Sequence, residues 1–277
     1  MRLILGTADF RDDDVTGRIL DRFYAAGGRA IDVANVYGEG VSERAVGKWL
    51  RSRASDDRIV LYGKGCHPPF CAPDLVGKEV EQALTLLGVE RLDVFMLHRD
   101  DTAIPVDEFA DALRAEVDAG RIGGFGVSNW TLDRFRALER CVGTGGGLVA
   151  FSNHFSLGEM VRPTWPGCLG LTSEELEQLL EGDVEVLAWA SLAMGYFAGR
   201  EAPSWESAEN ESRRARAAML ATELGTTAHA LALAYILHQP PRVRPVIGTR
   251  SEAHLDETLS ATRIELTDDQ LTWLETG

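Results

Sequence analysis

Apolar positions along this chain follow two periods that take turns. In segment 12–28, DDDVTGRILDRFYAAGG, Val15, Ile19 and Phe23 fall on one helical face, and Gly27 supplies the left-handed residue that ends the helix. The next stretch, RAIDV at 29–33, is short and apolar, which predicts a strand. The unit then repeats. DLVGKEVEQALTLLG (74–88) aligns Val76, Val80, Ala83, Leu84 and Leu87 before Gly88, and VDEFADALRAEVDAG (106–120) aligns Phe109, Leu113 and Val117 before Gly120. They lead into the apolar runs RLDVFML and IGGFGV. Helix TLDRFRALERCV precedes strand GLVAFS, and helix TSEELEQLLEG, with Thr172 and Glu175 spaced as a capping box, precedes DVEVLAWA. A helical region over 209–238 precedes VRPVIG, and helices over 251–261 and 267–275 close the chain, the last with a Thr267 and Gln270 box.

With RLILG (2–6) as the first strand and RIVLYGK (58–64) as the third, eight apolar strands alternate with helices. Such strands need cover on both faces, so the sheet is parallel and coated by helices. Eight repeats in 277 residues predict the α/β class and a closed (β/α)8 TIM barrel, a single domain over 1–277. A doubly wound dinucleotide fold has the same alternation, but its GxGxxG turn should follow the first strand. LGTADF is not that turn, and no other strand-to-helix turn supplies one.

Forty-three acidic against 28 basic residues leave a formal charge of −15, which argues against nucleic acid and anionic membrane as partners. A phosphate-bearing small ligand stays open, because it needs only local donors. No segment approaches the roughly 20 apolar residues of a membrane span, and the opening apolar run is too short for a signal peptide. Cys66, Cys71, Cys141 and Cys168 form no CxxC pair, which predicts free thiols and a cytoplasmic location. Cys66, His67 and Cys71 fit no standard zinc spacing, so no metal is expected. His229 and His238, in a stretch rich in alanine and leucine, read as packing or surface residues. The acidic residues Asp12 to Asp14 and Asp268 to Asp269 stand at helix starts, where they complement the dipole.

Barrel enzymes keep their chemistry at the carboxyl ends of the strands, and ionisable residues gather there. Asp32 and Tyr37 stand where RAIDV breaks into a loop, Lys64 ends RIVLYGK, and His98 follows RLDVFML. A free phenol has a pKa of about 10, so a tyrosine acting as general acid needs a positive neighbour. Lys64 can be that neighbour, and Asp32 would keep it charged. His98 can hydrogen-bond a carbonyl oxygen and turn it toward Tyr37. Singly, Asp32 with Lys64 reads as a structural ion pair and His98 as a satisfied core residue. Together they can protonate an oxygen on which negative charge develops, and the set contains no nucleophile.

These four residues, in this order and spacing, with Gly126, Val127, Ser128 and Asn129 reading GVSN, resemble the aldo-keto reductase superfamily. The similarity runs from GTADF to the closing helices. It implies an α/β barrel that moves hydride between a nicotinamide cofactor and a small-molecule carbonyl, with Asp32, Tyr37, Lys64 and His98 as its catalytic set. It also implies that Ser128, Asn129 and Asn153 hold the carboxamide, Asn153 standing where glutamine is usual. Trp189 would stack on the nicotinamide where tyrosine is usual, and Ala190, Ser191 and Leu192 would lie beside the pyrophosphate. VIGTRSEAHLDET (246–258) resembles the adenosine-phosphate loop, with Gly248, Thr249, Arg250, His254 and Glu257 near the adenosine; His254 and Thr258 replace residues more frequent there. Arg250 suits a 2′-phosphate, which favours NADPH over NADH.

Loops after the strands offer His67, Phe70, Trp130, Phe155, Trp165 and Tyr196 as pocket walls, and aromatic walls suit sugar rings and aryl groups equally. The loop over 158–170 is long enough to form part of a lid. A second function class remains beside the reductase: a cofactor-binding regulatory subunit, as in the potassium-channel beta subunits that resemble this family.

Overall fold

In the computed structural model, which describes residues 1–53 and 58–277, the apolar strands are β1 (Ile4–Gly6), β2 (Ala30–Asp32), β3 (Val60–Gly65) and β4 (Leu92–Leu97), followed by β5 (Ile122–Ser128), β6 (Leu148–Ser152), β7 (Glu185–Ala188) and β8 (Val243–Ile247). They pair in chain order, and β8 pairs in parallel with β1 to close the barrel. The helices are α1 (Asp14–Ala25), α2 (Val41–Arg51), α3 (Pro73–Leu87), α4 (Val106–Asp118) and α5 (Leu132–Val142), then α6 (Ser173–Leu180), α7 (Ala208–Glu223), α8 (Ala228–Leu237), α9 (Glu252–Ser260) and α10 (Asp268–Thr276). The eight-stranded α/β barrel expected from the sequence is present.

Successive strand side chains point to opposite faces, so each strand supplies two cores. Ile4, Ala30, Tyr62, Val94, Met96, Ala150 and Leu187 meet inside the barrel, packed by Val60 and Val246. Leu5, Ile31, Leu61, Phe95, Leu97, Val127, Phe151 and Ile247 face the helices. Gly126 takes the inward phase of β5, where the register shifts and β6 comes close: a Cβ there would lie 2.4 Å from the Ala150 carbonyl oxygen. Both capping boxes, Thr172 with Glu175 and Thr267 with Gln270, form as expected.

Two elements depart from the periodicity reading. The helical region over 209–238 is two helices, α7 and α8, bent by 99°. Gly225 takes a left-handed conformation (φ 65°), and Thr227 caps α8 by accepting the Ala230 N–H. α8 can then turn its apolar sequence AHALALAYIL into the core, with every residue from Ala230 to Ile236 buried. The other departure is α2, an eleven-residue helix that the periodicity reading left out. Its interior Gly47 packs against the backbone carbonyls of Leu86 and Leu87.

α2 also buries a carboxyl group. Glu43 is fully buried and neither oxygen has a hydrogen-bond partner. Burial pushes its carboxyl up to about 7, against the pull of Arg44 and with a further push from Glu79. The folded state then keeps a proton that the unfolded chain releases above its ordinary carboxylate pKa, so this contribution to stability is intact at low pH and is lost as pH rises through about 7. Glu43→Gln is expected to flatten that fall, stabilising the protein at pH 8.5 relative to pH 5 by on the order of 2 kcal/mol compared with wild type. Urea unfolding of both proteins at the two pH values measures it, and parallel pH dependence would mean that the buried carboxyl does not titrate.

Candidate active site

Asp32, Lys64 and His98 share the inward phase of Ala30, Tyr62 and Met96, so the pleat directs all three into the carboxyl-end mouth of the barrel. The backbone ladder fixes their relative heights. Asp32 is level with Tyr62, Lys64 with Met96, and the His98 N–H donates to the Gly65 carbonyl at 2.7 Å. Tyr37 follows the turn after β2, where its N–H donates to the Ala34 carbonyl at 2.9 Å.

The side chains converge. Lys64 and Asp32 form a buried ion pair, and Lys64 Nζ lies 5.2 Å from the centre of the Tyr37 ring. The Tyr37 and His98 rings meet edge to face at 5.8 Å, and His67 meets His98 in the same way at 5.2 Å. Burial opposes the charge on Lys64, but Asp32 and Tyr37 outweigh it and hold the ammonium above its ordinary range. Burial pushes the Tyr37 phenol up, Lys64 pulls it down and Asp32 pushes it up again, so the resting phenol keeps its proton. His98 falls well below its ordinary pKa because it is buried beside Lys64, Arg99 and His67. Its imidazole is therefore neutral, and Nδ1 is buried without a partner. A protonated phenol, a held ammonium and a neutral imidazole face one opening.

Arg99 was not singled out from sequence. It is buried directly after His98 and donates to the His98 carbonyl at 2.8 Å and to Cys168 Sγ at 3.3 Å, and its charge pulls the Tyr37 phenol down. In the sequence it stands within the run His98, Arg99, Asp100 and Asp101 after β4, which reads as the start of a solvated loop.

Around the other half of the mouth, Ser128, Ser152 and Trp189 share the inward phase of β5, β6 and β7. The residues present fit a primary amide. Asn153 Nδ2 is taken by the Trp130 carbonyl at 2.9 Å, whereas its Oδ1 is buried and unpartnered. The Ser128 hydroxyl accepts from Asn129 Nδ2 at 2.9 Å and keeps its own proton to donate. Asn129 is fully engaged, with Nδ2 also on the His98 carbonyl and Oδ1 accepting the Leu169 N–H at 3.1 Å. In this arrangement it positions Ser128 and the loop after β6. Asn129, Ala190, Ala193 and Met194 all have left-handed backbones, a strain that persists only where surrounding contacts impose it and that concentrates at binding sites. Ser191 Oγ ties the loop after β7 to the Val246 carbonyl at 2.9 Å, with Leu192 next along it. Gly248 and Thr249 follow β8, and Thr249 Oγ1 accepts the Ser251 N–H at 3.0 Å. His254 and Glu257 lie on α9, where His254 Nδ1 faces the exposed Arg200 at 3.4 Å. Arg250 donates to Asp13 Oδ2 at 2.6 Å, so this acidic residue does more than begin a helix.

The expected pocket walls divide. His67 borders the mouth against His98, and Trp165 reaches over from the loop after β6, its ring 6.5 Å from that of Trp189, the residue expected to stack on the nicotinamide. Phe70 is exposed at 61% after β3. Trp130, Phe155 and Tyr196 are corrections. Trp130 is fully buried against Phe109 of α4 and donates to the Arg99 carbonyl, so it packs the outer layer. Phe155 stacks on Tyr235 of α8 at 6.3 Å, and Tyr196 is buried against Phe197 with Arg214 over its ring. Among the described residues, no three histidine, cysteine, aspartate or glutamate side chains are grouped to hold a metal ion.

Comparison with known proteins agrees with this fold. The model of the Aldo/keto reductase family matches residues 2–276. A norsolorinic acid reductase of Emericella nidulans is 31% identical over 93% of this chain and 70% of its own length. The NADP-dependent aryl-alcohol dehydrogenase of Phanerodontia chrysosporium is 25% identical over 95% of this chain and 76% of its own. Among solved structures, an aldo/keto reductase from Klebsiella pneumoniae in complex with NADP and acetate has the same fold, with a TM-score of 0.79 and 23% identity over 99% of this chain and 89% of that one. With ionisable side chains gathered at one end of an eight-stranded barrel and a family match along nearly its whole length, the chain belongs to the aldo/keto reductase family of oxidoreductases.

Proposed function

We propose that this protein reduces an aryl aldehyde or ketone to the alcohol with NADPH, and that Tyr37 donates the proton. The observation that carries the proposal is the meeting of the Tyr37 phenol, the Lys64 ammonium and the neutral His98 imidazole at one mouth. Bound reduced nicotinamide supplies hydride to the carbonyl carbon. The Ser128 hydroxyl and Asn153 Oδ1 would hold its carboxamide, Trp189 would offer an aromatic face to it, and Arg250 would read the 2′-phosphate. His98 donates its N–H to the carbonyl oxygen and aims it at Tyr37. As charge develops on that oxygen, Tyr37 releases its proton and Lys64, held charged by Asp32, stabilises the phenolate left behind.

The rim favours an aryl substrate over a sugar. Val36, Phe70 and Trp165, on the loops after β2, β3 and β6, are exposed at 44%, 61% and 51% and offer apolar surface. A sugar needs convergent donors and acceptors for its hydroxyls, whereas a planar ring needs apolar walls and a few polar groups at its carbonyl. The similarity to a norsolorinic acid reductase and an aryl-alcohol dehydrogenase supports the same class. The proposal includes a cytoplasmic location, supported by four free cysteines. Among the described residues, no single helix is long and apolar enough to cross a membrane.

The test is NADPH oxidation against matched panels of aryl aldehydes, aryl ketones and aldoses. Aryl carbonyls are expected to exceed aldoses in kcat/KM by about 100-fold or more. Faster turnover of aldoses would overturn the substrate class, and no turnover of any carbonyl would favour a cofactor-binding regulatory subunit.

A further inference from the structure

Ion pairs join α1 and the turn before it to the segment after β8. Arg18 bonds Glu252 at 2.7 Å, Arg22 pairs with Asp256, and Arg250 pairs with Asp13. The third pair differs from the others, because its cation is the group assigned to the cofactor phosphate. Arg250 is also the least exposed of these arginines. Nη2 donates to Asp13 Oδ2 at 2.6 Å, while Nη1 reaches the Asp9 carbonyl at 3.3 Å and Thr16 Oγ1 at 3.4 Å. Both terminal nitrogens thus face the turn after β1 and the first turn of α1, and the Arg250 side chain is only 25% exposed.

Asp13 has a second duty. It is the N-cap of α1 and its Oδ1 accepts the Thr16 N–H at 3.0 Å. That bond and the one from Arg250 hold its carboxyl down to about 2, so it stays ionised at any working pH. A 2′-phosphate with up to two negative charges, arriving at Arg250, meets a guanidinium already bonded to a carboxylate. It must displace Asp13 or share the cation with it. NADH has no phosphate there and meets no such competition.

We propose that Asp13 is a specificity-determining residue: it competes with the 2′-phosphate for Arg250 and so narrows the preference for NADPH over NADH. The inference rests on the reading of Arg250 as the phosphate contact. The two duties of Asp13 are separable, since asparagine caps a helix as well as aspartate does but carries no charge.

The experiment measures dissociation constants of NADPH and NADH by quenching of tryptophan fluorescence, in wild type, Asp13→Asn, Arg250→Ala and the double variant, with Asp13→Ser as a second substitution that keeps the cap. Asp13→Asn and Asp13→Ser are expected to tighten NADPH about three- to tenfold and leave NADH unchanged. In the Arg250→Ala background the Asp13 change should do nothing, the non-additivity expected of two residues acting through one contact. Unchanged or weaker NADPH binding in both Asp13 variants overturns the proposal, as does equal tightening of both cofactors or a gain that persists without Arg250. Arg250→Ala is expected to weaken NADPH selectively. Equal losses for the two cofactors would instead remove the phosphate-reading role of Arg250, and the competition with it.

Discussion

Tyr37→Phe is expected to fold and bind cofactor as wild type does, yet to reduce carbonyls roughly two to four orders of magnitude more slowly, the usual worth of a positioned general acid. The ring keeps its edge contact with His98 and its place beside Lys64; only the hydroxyl is lost. The remaining groups are poor substitutes. Lys64 is held charged by a buried carboxylate, and His98 is neutral and suited to donate a hydrogen bond more than a proton. Single-turnover reduction of an aryl aldehyde, with the chemical step shown to limit, measures the loss. A rate within a few fold of wild type would take Tyr37 out of the proton-donor role.

Lys64→Met is expected to slow reduction by a similar factor for a different reason. The ammonium lets the phenol part with its proton, since burial alone pushes the phenol up. Without Lys64 the proton stays on Tyr37, and Asp32 is left buried without its counter-charge. Adding Tyr37→Phe to Lys64→Met should cost little more, because groups that act as a unit do not contribute additively. Losses that multiply in the double variant would show two independent contributions. Folding of Lys64→Met is checked by circular dichroism, and Asp32→Asn combined with it restores charge balance if the buried carboxylate destabilises the single variant.

Strand-end residues were legible in the sequence because the two-residue period leaves no choice of direction. Once Ala30, Tyr62 and Met96 face inward, Asp32, Lys64 and His98 must as well. Loop residues carry no such period. Trp130, Phe155 and Tyr196 looked alike as aromatics after strands, and each found a partner in the helical layer: Phe109 of α4, Tyr235 of α8 and Arg214 of α7. The pairing of Arg250 with Asp13 was equally hidden, since 237 positions separate the two and closure of the barrel brings them together. α2 escaped notice because its glycine at position 47, an ordinary sign against a helix, is required by close contact with α3. The break between α7 and α8 was visible as Gly225 and Thr227, but a continuous run of helix formers on both sides masked it.

The distribution of roles around the barrel has a consequence for protein engineering. Asp32, Tyr37, Lys64 and His98 come from β2, β3, β4 and the loops that follow them, whereas the groups expected to hold the cofactor come from β5 to β8. The loop before β5 is thus a natural crossover for chimaeras, one parent supplying the proton chemistry together with Asp13 and the other supplying the remaining groups expected to hold the cofactor. Such a hybrid meets its hardest demand where the ring closes, because the ion pairs from α1 and its cap to α9 and Arg250 must be matched between parents for the two halves to dock.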